Sequence, residues 1–373
     1  MDRPLQHFAC DSNGATLCHC HGSSGVPIHR VFQIGSRLRV SSLGSAESRG
    51  RPGVILASTP HLNPGDGKRS RFLNLKDKDV MKQSMRCALM GAIAGLLLAG
   101  CATINVTDAT WSHPGYAAMA PKALRELSTT GYVARYASFH GSDGTLLSGL
   151  LLTKPGNKVT ILNFDGNVFQ TGTGGLESGR MFESLGVNAF LVDYRGYGMS
   201  EGDGTRISPA LSESDALAAY DFLRAEPDVR GSAIVAEGLS LGSFFAPYVA
   251  NHRPVSGLVL ESTATDATDW IHNQVPWYAV PFIRIHIAPS VGTVSNISEL
   301  QRYHGPLLLL VGSKDKITPP RFAQELYKKS STPGPMKVLY IANGERHGTV
   351  LLDSAAAREQ YAKFLQGIVE AKR

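Results

Sequence analysis

The chain has 373 residues, of which 43% are hydrophobic, so it can hold one large α/β domain or two smaller ones with a sizeable core. Its formal net charge is +6, but nearly all of the excess Lys and Arg lies in residues 1–101, and residues 102–373 are close to neutral. They carry no basic stripe interleaved with aromatic residues, so the composition gives no reason to expect a nucleic-acid partner.

Residues 1–80 differ in composition from the rest of the chain. They are rich in Ser, Gly, Arg and His, and their apolar residues follow neither the helical nor the strand period. Because these apolar residues are too scattered to build a core, we expect the segment to be disordered or not translated. Its Cys18-His19-Cys20-His21 run offers four adjacent ligands, which is a poor arrangement for tetrahedral zinc, so we expect no metal site there.

Residues 81–101 have the pattern of a secretory signal peptide. A short cationic start is followed by an apolar run over 87–97, which is shorter than the roughly 20 residues that span a membrane. The run ends in Leu-Ala-Gly-Cys at Cys101, which resembles the lipobox of bacterial lipoproteins, whose cysteine is lipidated and becomes the new N-terminus. The resemblance implies that the natural chain starts at Met81 or Met85. An internal hydrophobic helix is the alternative.

The residue after the lipobox indicates a destination. The second position of the mature chain would be Ala102 rather than aspartate. In this respect the chain resembles lipoproteins of the Gram-negative outer membrane, so we expect a lipid-anchored chain that faces the periplasm. No cysteine follows Cys101, so no disulfide can stabilise the mature chain. We expect residues 102–130 to form a tether with little regular structure, apart from a short helix from Pro121 to Leu127.

From residue 131 onward, β-rich and helical segments alternate. Strands are predicted at 136–139, 146–153, 159–164, 188–193, 232–236, 256–260, 306–311 and 336–341. Helices are predicted at 176–185, 208–226, 241–251, 321–329 and 354–371. The first two strands flank Ser142-Asp143-Gly144, a turn signal that predicts an antiparallel hairpin. The later alternation predicts a mostly parallel sheet with helices on both faces.

A G-x-S-x-G pattern is centred on Ser240, after a predicted strand and before a predicted helix. A sharp strand-to-helix turn strains its central residue and crowds the positions two residues away, where Gly238 and Gly242 are tolerated. Such a turn would expose the Ser240 hydroxyl beside a helix N-terminus that favours developing negative charge. The pattern therefore predicts a serine nucleophile.

A second motif follows another predicted strand: residues 193–202 read D-Y-R-G-Y-G-M-S-E-G. Together with the G-x-S-x-G pattern, it resembles the α/β-hydrolase superfamily, in the branch of BEM46-type and serine aminopeptidase-like hydrolases, over residues 131–373. The resemblance implies an α/β-hydrolase fold: a mostly parallel eight-stranded sheet, helices on both faces and a small lid. We expect Arg195 to hold this loop rather than to touch substrate.

The resemblance also implies a triad in the chain order Ser, Asp, His. Residues 307–319 resemble the family's strand and G-x-x-D turn, in which Asp315 is the acid. His347 follows the next predicted strand, where the family has its base. In this arrangement His347 accepts the Ser240 proton and returns it to the leaving group, while Asp315 orients the imidazole.

Other residues compete less well for these roles. Asp266 and Asp269 follow an earlier strand, where some related enzymes carry their acid, and they stay open as alternatives. Three further histidines are expected in the lid or on the surface: His272, His286 and His304.

The oxyanion hole needs two backbone N–H groups. Leu241, directly after the serine, is expected to supply one, and the loop after the strand at 159–164 the other. The family usually has His-Gly in this loop, whereas this chain has Asp165-Gly166-Asn167. Because the donor is main chain, Asn167 can still supply it. We expect the Asp165 side chain to turn away into a turn or cap hydrogen bond.

Residues 263–303 form the least regular stretch and are expected to be the lid. Its aromatic residues either line an acyl pocket or pack the lid down: Trp270, Trp277, Tyr278 and Phe282. The Gly-rich run at 172–175 lacks the spacing of a dinucleotide loop, and no metal-ligand cluster follows residue 101, so neither a cofactor nor a metal is expected.

These observations predict a lipid-anchored serine hydrolase that cleaves carboxylic esters through an acyl-enzyme on Ser240. Aminopeptidase or thioesterase activity on the same triad is one alternative. A non-catalytic envelope binding lipoprotein that retains the hydrolase fold is the other.

Overall fold

The computed structural model describes residues 102–110, 115, 118–128, 131–202 and 207–372. The expected extension (1–80), the signal peptide (81–101) and the lipidation site Cys101 lie outside the described residues, so they stay predictions. In the part of the chain that is described, no helix combines the length and the apolar character that crossing a membrane requires.

Ten strands are described, and eight of them form the main sheet. The strands are β1 (Ala102–Val106), β2 (Val133–His140), β3 (Leu146–Thr153), β4 (Val159–Phe164), β5 (Asn188–Asp193), β6 (Ala233–Leu239), β7 (Gly257–Glu261), β8 (Ile283–Ile287), β9 (Leu307–Gly312) and β10 (Lys337–Ala342). The main sheet has the order β10-β9-β7-β6-β4-β5-β3-β2, and only β3 runs antiparallel to its neighbours on both sides. The predicted eight-stranded, mostly parallel sheet with an initial hairpin is therefore confirmed.

Ten α-helices are described. They are α1 (Pro121–Leu127), α2 (Thr171–Ser184), α3 (Pro209–Ala225), α4 (Phe245–His252), α5 (Ala267–Asn273), α6 (Pro289–Gly292), α7 (Asn296–Arg302), α8 (Pro320–Lys329), α9 (Val350–Asp353) and α10 (Ala355–Ala371). A 3₁₀ turn, Ser240–Phe244, joins β6 to α4. The lid segment, residues 263–303, is thus more regular than expected, since it contains α5, β8, α6 and α7.

Two apolar layers cover the two faces of the main sheet. Buried residues of α3, α4, α7 and α8 pack on one face, against strand residues such as Leu162 and Leu309. Residues of α1, α2, α9 and α10 pack on the other, against Ile161 and Leu308. Neighbouring residues of a strand belong to opposite layers, as the strand period of two requires. Because β10, β9, β7, β6, β4 and β5 run parallel to one another, their carboxyl ends meet at one edge of the sheet.

Helix α2 begins earlier than the predicted start at residue 176. Its first turn contains the Gly-rich run at 172–175, whose low helix propensity argues against a helix. Tertiary contacts compensate, because the Asp193 carboxylate accepts hydrogen bonds from the N–H (2.8 Å) and the hydroxyl (2.7 Å) of Thr171. A carboxylate at this position stabilises the first turn of a helix.

Strand β1 corrects the prediction that residues 102–130 form an irregular tether. Ala102 to Val106 pair in parallel with Ile283 to Ile287 of the lid segment. Five residues are too few to show a strand period in the sequence, and their partner lies far along the chain. Within the same range, α1 occupies the predicted bounds Pro121–Leu127.

Candidate active site

Ser240 occupies a strained turn directly after β6. Its φ of 52° lies in the left-handed region, which side-chain-bearing residues rarely adopt. A Cβ atom at Gly238 would collide with the backbone of Gly242, and one at Gly242 would collide with the carbonyl oxygen of Phe164. The two glycines are therefore required by close backbone approach, as the G-x-S-x-G pattern predicts.

The structure brings together the three residues predicted as a triad. The imidazole Nε2 of His347 lies 2.8 Å from the Ser240 hydroxyl oxygen, and its Nδ1 lies 2.9 Å from Asp315 Oδ2. Ser240, Asp315 and His347 follow β6, β9 and β10, whose carboxyl ends share one edge of the sheet. This line of hydrogen bonds can carry a proton away from the serine and return it.

Asp315 is buried and held in its ionised form. Its Oδ1 accepts the N–H groups of Ile317 (2.9 Å) and Thr318 (2.8 Å), and its Oδ2 accepts the Thr318 hydroxyl (2.8 Å). Burial acts to raise the pKa of Asp315, but the hydrogen bonds from His347 and Thr318 outweigh it and hold the pKa below its usual value. An ionised carboxylate here accepts the Nδ1–H of His347 and leaves Nε2 free to act as a base.

Sequence reasoning assigned no role to Thr318. Its hydroxyl oxygen also lies 3.0 Å from His347 Nδ1, so this threonine contacts both the acid and the base. The signal was present, because Thr318-Pro319 closes the turn motif that identified Asp315.

The alternative acids have local structural roles. The Asp266 side chain caps α5 by accepting the N–H of Asp269 (2.7 Å), and the Asp269 carboxylate accepts the hydroxyl of Thr265 (2.9 Å). The three other histidines of this region are exposed, as expected: His272, His286 and His304.

The two residues expected to form the oxyanion hole both line a cavity beside Ser240: Asn167 and Leu241. The backbone of the loop after β4 passes close to the serine, since a Cβ atom at Gly166 would lie 3.8 Å from the Cβ of Ser240. The Asn167 side chain accepts a hydrogen bond from the hydroxyl of buried Tyr197 (2.7 Å), and this bond holds the loop in place. The roles of the two N–H groups as donors stay predictions.

The Asp165 side chain makes a more local hydrogen bond than the expected turn or cap bond, because its partner is the next residue. Its Oδ1 accepts the N–H of Gly166 (2.6 Å), and its carbonyl oxygen accepts the hydroxyl of Tyr194 (2.6 Å). Burial raises the pKa of Asp165 to about 7, against the opposing effect of the Gly166 hydrogen bond. The carboxyl is therefore partly protonated near neutral pH, which reduces the negative charge beside the oxyanion loop.

Two buried glutamates, which sequence reasoning passed over, support the segment after His347. Glu237 of β6 accepts the hydroxyl of Tyr361 in α10 (2.6 Å), and Glu261 of β7 accepts the N–H of Val350 in α9 (2.9 Å). Burial raises the pKa of both carboxyls to about 8, so both are mainly protonated at neutral pH. They tie the helices that follow the histidine loop to β6, which leads into Ser240, and to its neighbour β7.

Arg195 holds its loop, as expected. The buried guanidinium donates to Asp143 in the β2–β3 turn (2.9 Å) and to Asp215 of α3 (2.7 Å). Both contacts are structural, and the side chain is absent from the lining of the cavity at Ser240.

The cavity beside Ser240 has a volume of about 50 Å³ and a largely apolar lining. It is lined by Val106, Thr110, Asn167, Ser240, Leu241, Phe244, Ala264, Trp270 and Thr318. Of the four lid aromatics, Trp270 alone belongs to this lining, and the other three are exposed. Val106 and Thr110 come from the segment read as a tether, so sequence reasoning missed one wall of the pocket.

No protein-family model matches the chain. It is 33% identical over 183 residues to Protein bem46 of Schizosaccharomyces pombe, a match that covers 47% of this chain and 58% of that protein. It is 30% identical over 167 residues to the alpha/beta hydrolase domain-containing protein WAV2 of Arabidopsis thaliana, which covers 42% of this chain and 52% of that protein. The chain thus spans between half and three fifths of the length of these relatives.

Among solved structures, an esterase of Pyrococcus furiosus superposes with a TM-score of 0.55 at 18% identity, over 68% of this chain and 99% of that one. At this identity the likeness concerns the fold. The chain is therefore similar in sequence to α/β-hydrolase domain proteins, and it has the α/β-hydrolase fold.

Proposed function

We propose that the chain is a serine hydrolase that cleaves carboxylic esters through an acyl-enzyme on Ser240. The observation that carries the proposal is the continuous hydrogen-bonded line from Ser240 through His347 to ionised Asp315. Esterases among the solved structures share the fold, which agrees with the proposal.

In the proposed reaction, the Ser240 hydroxyl oxygen attacks the ester carbonyl carbon while His347 Nε2 takes the hydroxyl proton. The N–H groups of Leu241 and Asn167 stabilise the negative charge on the carbonyl oxygen. The C–O bond to the alcohol then breaks, and His347 gives its proton to the departing oxygen. Water, deprotonated by the same imidazole, attacks the acyl-enzyme, releases the carboxylic acid and restores the serine.

The lining of the cavity favours esters over aminopeptidase substrates. An aminopeptidase has to hold the α-ammonium group of its substrate, which calls for an acidic side chain near the nucleophile. None of the described lining residues is acidic, and most are apolar. The apolar lining further favours an apolar acyl group.

The proposed location of the enzyme is the bacterial envelope, with a lipid on Cys101 and the domain facing the periplasm. The lipobox-like sequence supports this attachment, and the mature chain would then begin directly before β1. Metabolic labelling with a palmitate analogue tests it: the wild type should be labelled and Cys101→Ser should not. An unmodified peptide that crosses Gly100 and Cys101 would contradict it.

Labelling with a fluorophosphonate tests the catalytic proposal. The wild type should be labelled at Ser240, and Ser240→Ala should lose the label. Ser142→Ala, at an exposed serine of the β2–β3 turn, is the matched control and should label normally. An unlabelled wild type would instead favour a non-catalytic binding lipoprotein. A panel of p-nitrophenyl esters, thioesters and aminoacyl anilides then separates esterase from thioesterase and aminopeptidase activity.

A further inference from the structure

An exposed apolar patch lies between α5 and β8 of the lid segment. We call it the lid patch, and it consists of Trp277 (85% exposed), Tyr278 (64%), Val280 (56%) and Phe282 (42%). The rings of Trp277 and Tyr278 meet edge to face, with centroids 5.9 Å apart, so the two aromatics form one surface. The proposed catalysis does not use them, because none of the four residues lines the cavity at Ser240. Clustered exposed aromatics of this kind mark an interaction surface.

The register of β1 places the start of the described chain at this patch. Ala102 pairs with Ile283, the residue directly after Phe282. The preceding residue in sequence is Cys101, the proposed lipid attachment, and consecutive Cα atoms are about 3.8 Å apart. A lipid on this cysteine would therefore be tethered beside the patch.

The segment that carries the patch has no acidic residue, which suits an anionic lipid surface. Residues 270–298 contain no Asp or Glu, and Arg284 is exposed on β8 two residues after Phe282. Trp and Tyr are enriched where a hydrocarbon layer meets water, because their rings are apolar and their N–H or O–H groups reach polar partners.

We propose that the lid patch rests in the interfacial layer of a phospholipid bilayer. The orientation of the domain rests on the lipid attachment proposed above, whereas the affinity of the patch for lipid does not. The patch lies at one end of β1 and the cavity residue Val106 at the other, and a five-residue strand is roughly 17 Å long. The bilayer would therefore lie within about that distance of the pocket.

Two matched valines allow the patch to be tested. Val280 in the patch and Val133 on the edge strand β2 are 56% and 55% exposed. In the full chain carrying Cys101→Ser, which cannot be lipidated, we measure co-sedimentation with vesicles of phosphatidylethanolamine and phosphatidylglycerol. The added Val280→Asp should weaken binding by about tenfold or more, because an apolar side chain that would contact the lipid is replaced by a charge. The added Val133→Asp should bind as the parent does.

Tryptophan fluorescence gives a second measurement on the same proteins. Vesicles with brominated acyl chains should quench the emission of the Cys101→Ser chain, and Trp277→Phe should remove most of this quenching. Circular dichroism and thermal unfolding report whether each variant is folded. Val280→Ser replaces Val280→Asp if the latter does not fold.

Three results would overturn the proposal: no vesicle binding by the Cys101→Ser chain, equal losses in the two Asp variants, or self-association that Val280→Asp abolishes without any vesicle binding. The last result would assign the patch to a second copy of the chain. A failure of palmitate labelling or of fluorophosphonate labelling in the wild type concerns the anchor or the catalysis, and vesicle binding is read independently of both.

Discussion

The Nδ1 atom of His347 lies 2.9 Å from Oδ2 of Asp315, a carboxylate oxygen that also accepts the hydroxyl of Thr318. The acid is thus held in place independently of the histidine, by the Thr318 hydroxyl and by two backbone N–H groups of its own turn. An ionised acid held in this position favours the tautomer of His347 that has a proton on Nδ1, because only that tautomer can donate to the carboxylate.

Replacing this acid should nearly abolish turnover. Asp315→Asn keeps the shape but can present its NH₂ group to Nδ1 and select the wrong tautomer, so kcat should fall by about 10⁴-fold, as in serine proteases that lose this acid. The measurement is steady-state hydrolysis of a p-nitrophenyl ester. Asp266→Asn is the control, because Asn caps a helix as well as Asp does, and its activity should be unchanged. A larger loss in Asp266→Asn would reverse the assignment.

Asp165 should determine an alkaline decline in activity. Its pKa is raised to about 7, so the side chain gains negative charge as the pH rises through that value, beside the loop expected to stabilise the oxyanion. In Asp165→Asn, which keeps an acceptor for the Gly166 N–H, kcat/KM should therefore stay level above about pH 7, where that of the wild type declines. Superimposable pH profiles of the two proteins would contradict this role.

Trp270 should limit the length of the acyl group. The indole lines the cavity at Ser240, so Trp270→Ala should raise kcat/KM for hexanoyl relative to acetyl esters by about tenfold, as burial of about two further CH₂ groups at about 0.8 kcal/mol each would give. Trp277→Ala is the matched control, because this exposed tryptophan is not part of the lining, and its acyl preference should be that of the wild type. The same shift in both variants would mean that the lid acts as a whole.

Glu261 should make the fold less stable as the pH rises. Its pKa is raised to about 8 by burial, so the folded state retains a proton that the unfolded chain loses above its ordinary pKa. The free energy of unfolding should therefore fall by up to about 1.4 kcal/mol per pH unit between about pH 5 and pH 8 from this group, and level off above. In Glu261→Gln, which keeps an acceptor for the Val350 N–H, urea unfolding should show a shallower decline. An unchanged pH slope would count against a protonated Glu261.

The sequence was sufficient for most of the sheet because its strands are apolar runs bounded by turn residues, and burial on both faces requires such runs. Asp315 and His347 could be placed because each follows such a run, and parallel strands end at one edge. Strand β1 could not, since its pairing with Ile283 to Ile287 depends on contacts far apart in sequence.

The roles of Glu237 and Glu261 were not predictable for a different reason. A glutamate in a sequence is ordinarily interpreted as a solvated charge. Only the fold shows that these two glutamates are buried beside Tyr361 and Val350. The start of α2 was missed because the Asp193 carboxylate that stabilises its first turn lies on another element. Local helix propensity does not predict such a start, because a tertiary contact outweighs it.

The pairing of β1 with β8 limits where the polypeptide can be shortened for production. A recombinant version that starts at Thr107 would remove the whole of β1 and leave the backbone groups of β8 without their ladder. A bare strand edge recruits edges of other molecules, which promotes aggregation. Proteolytic maturation directly before Cys101 would leave this strand whole, whereas trimming of a few further residues would open the wall of the pocket that Val106 provides.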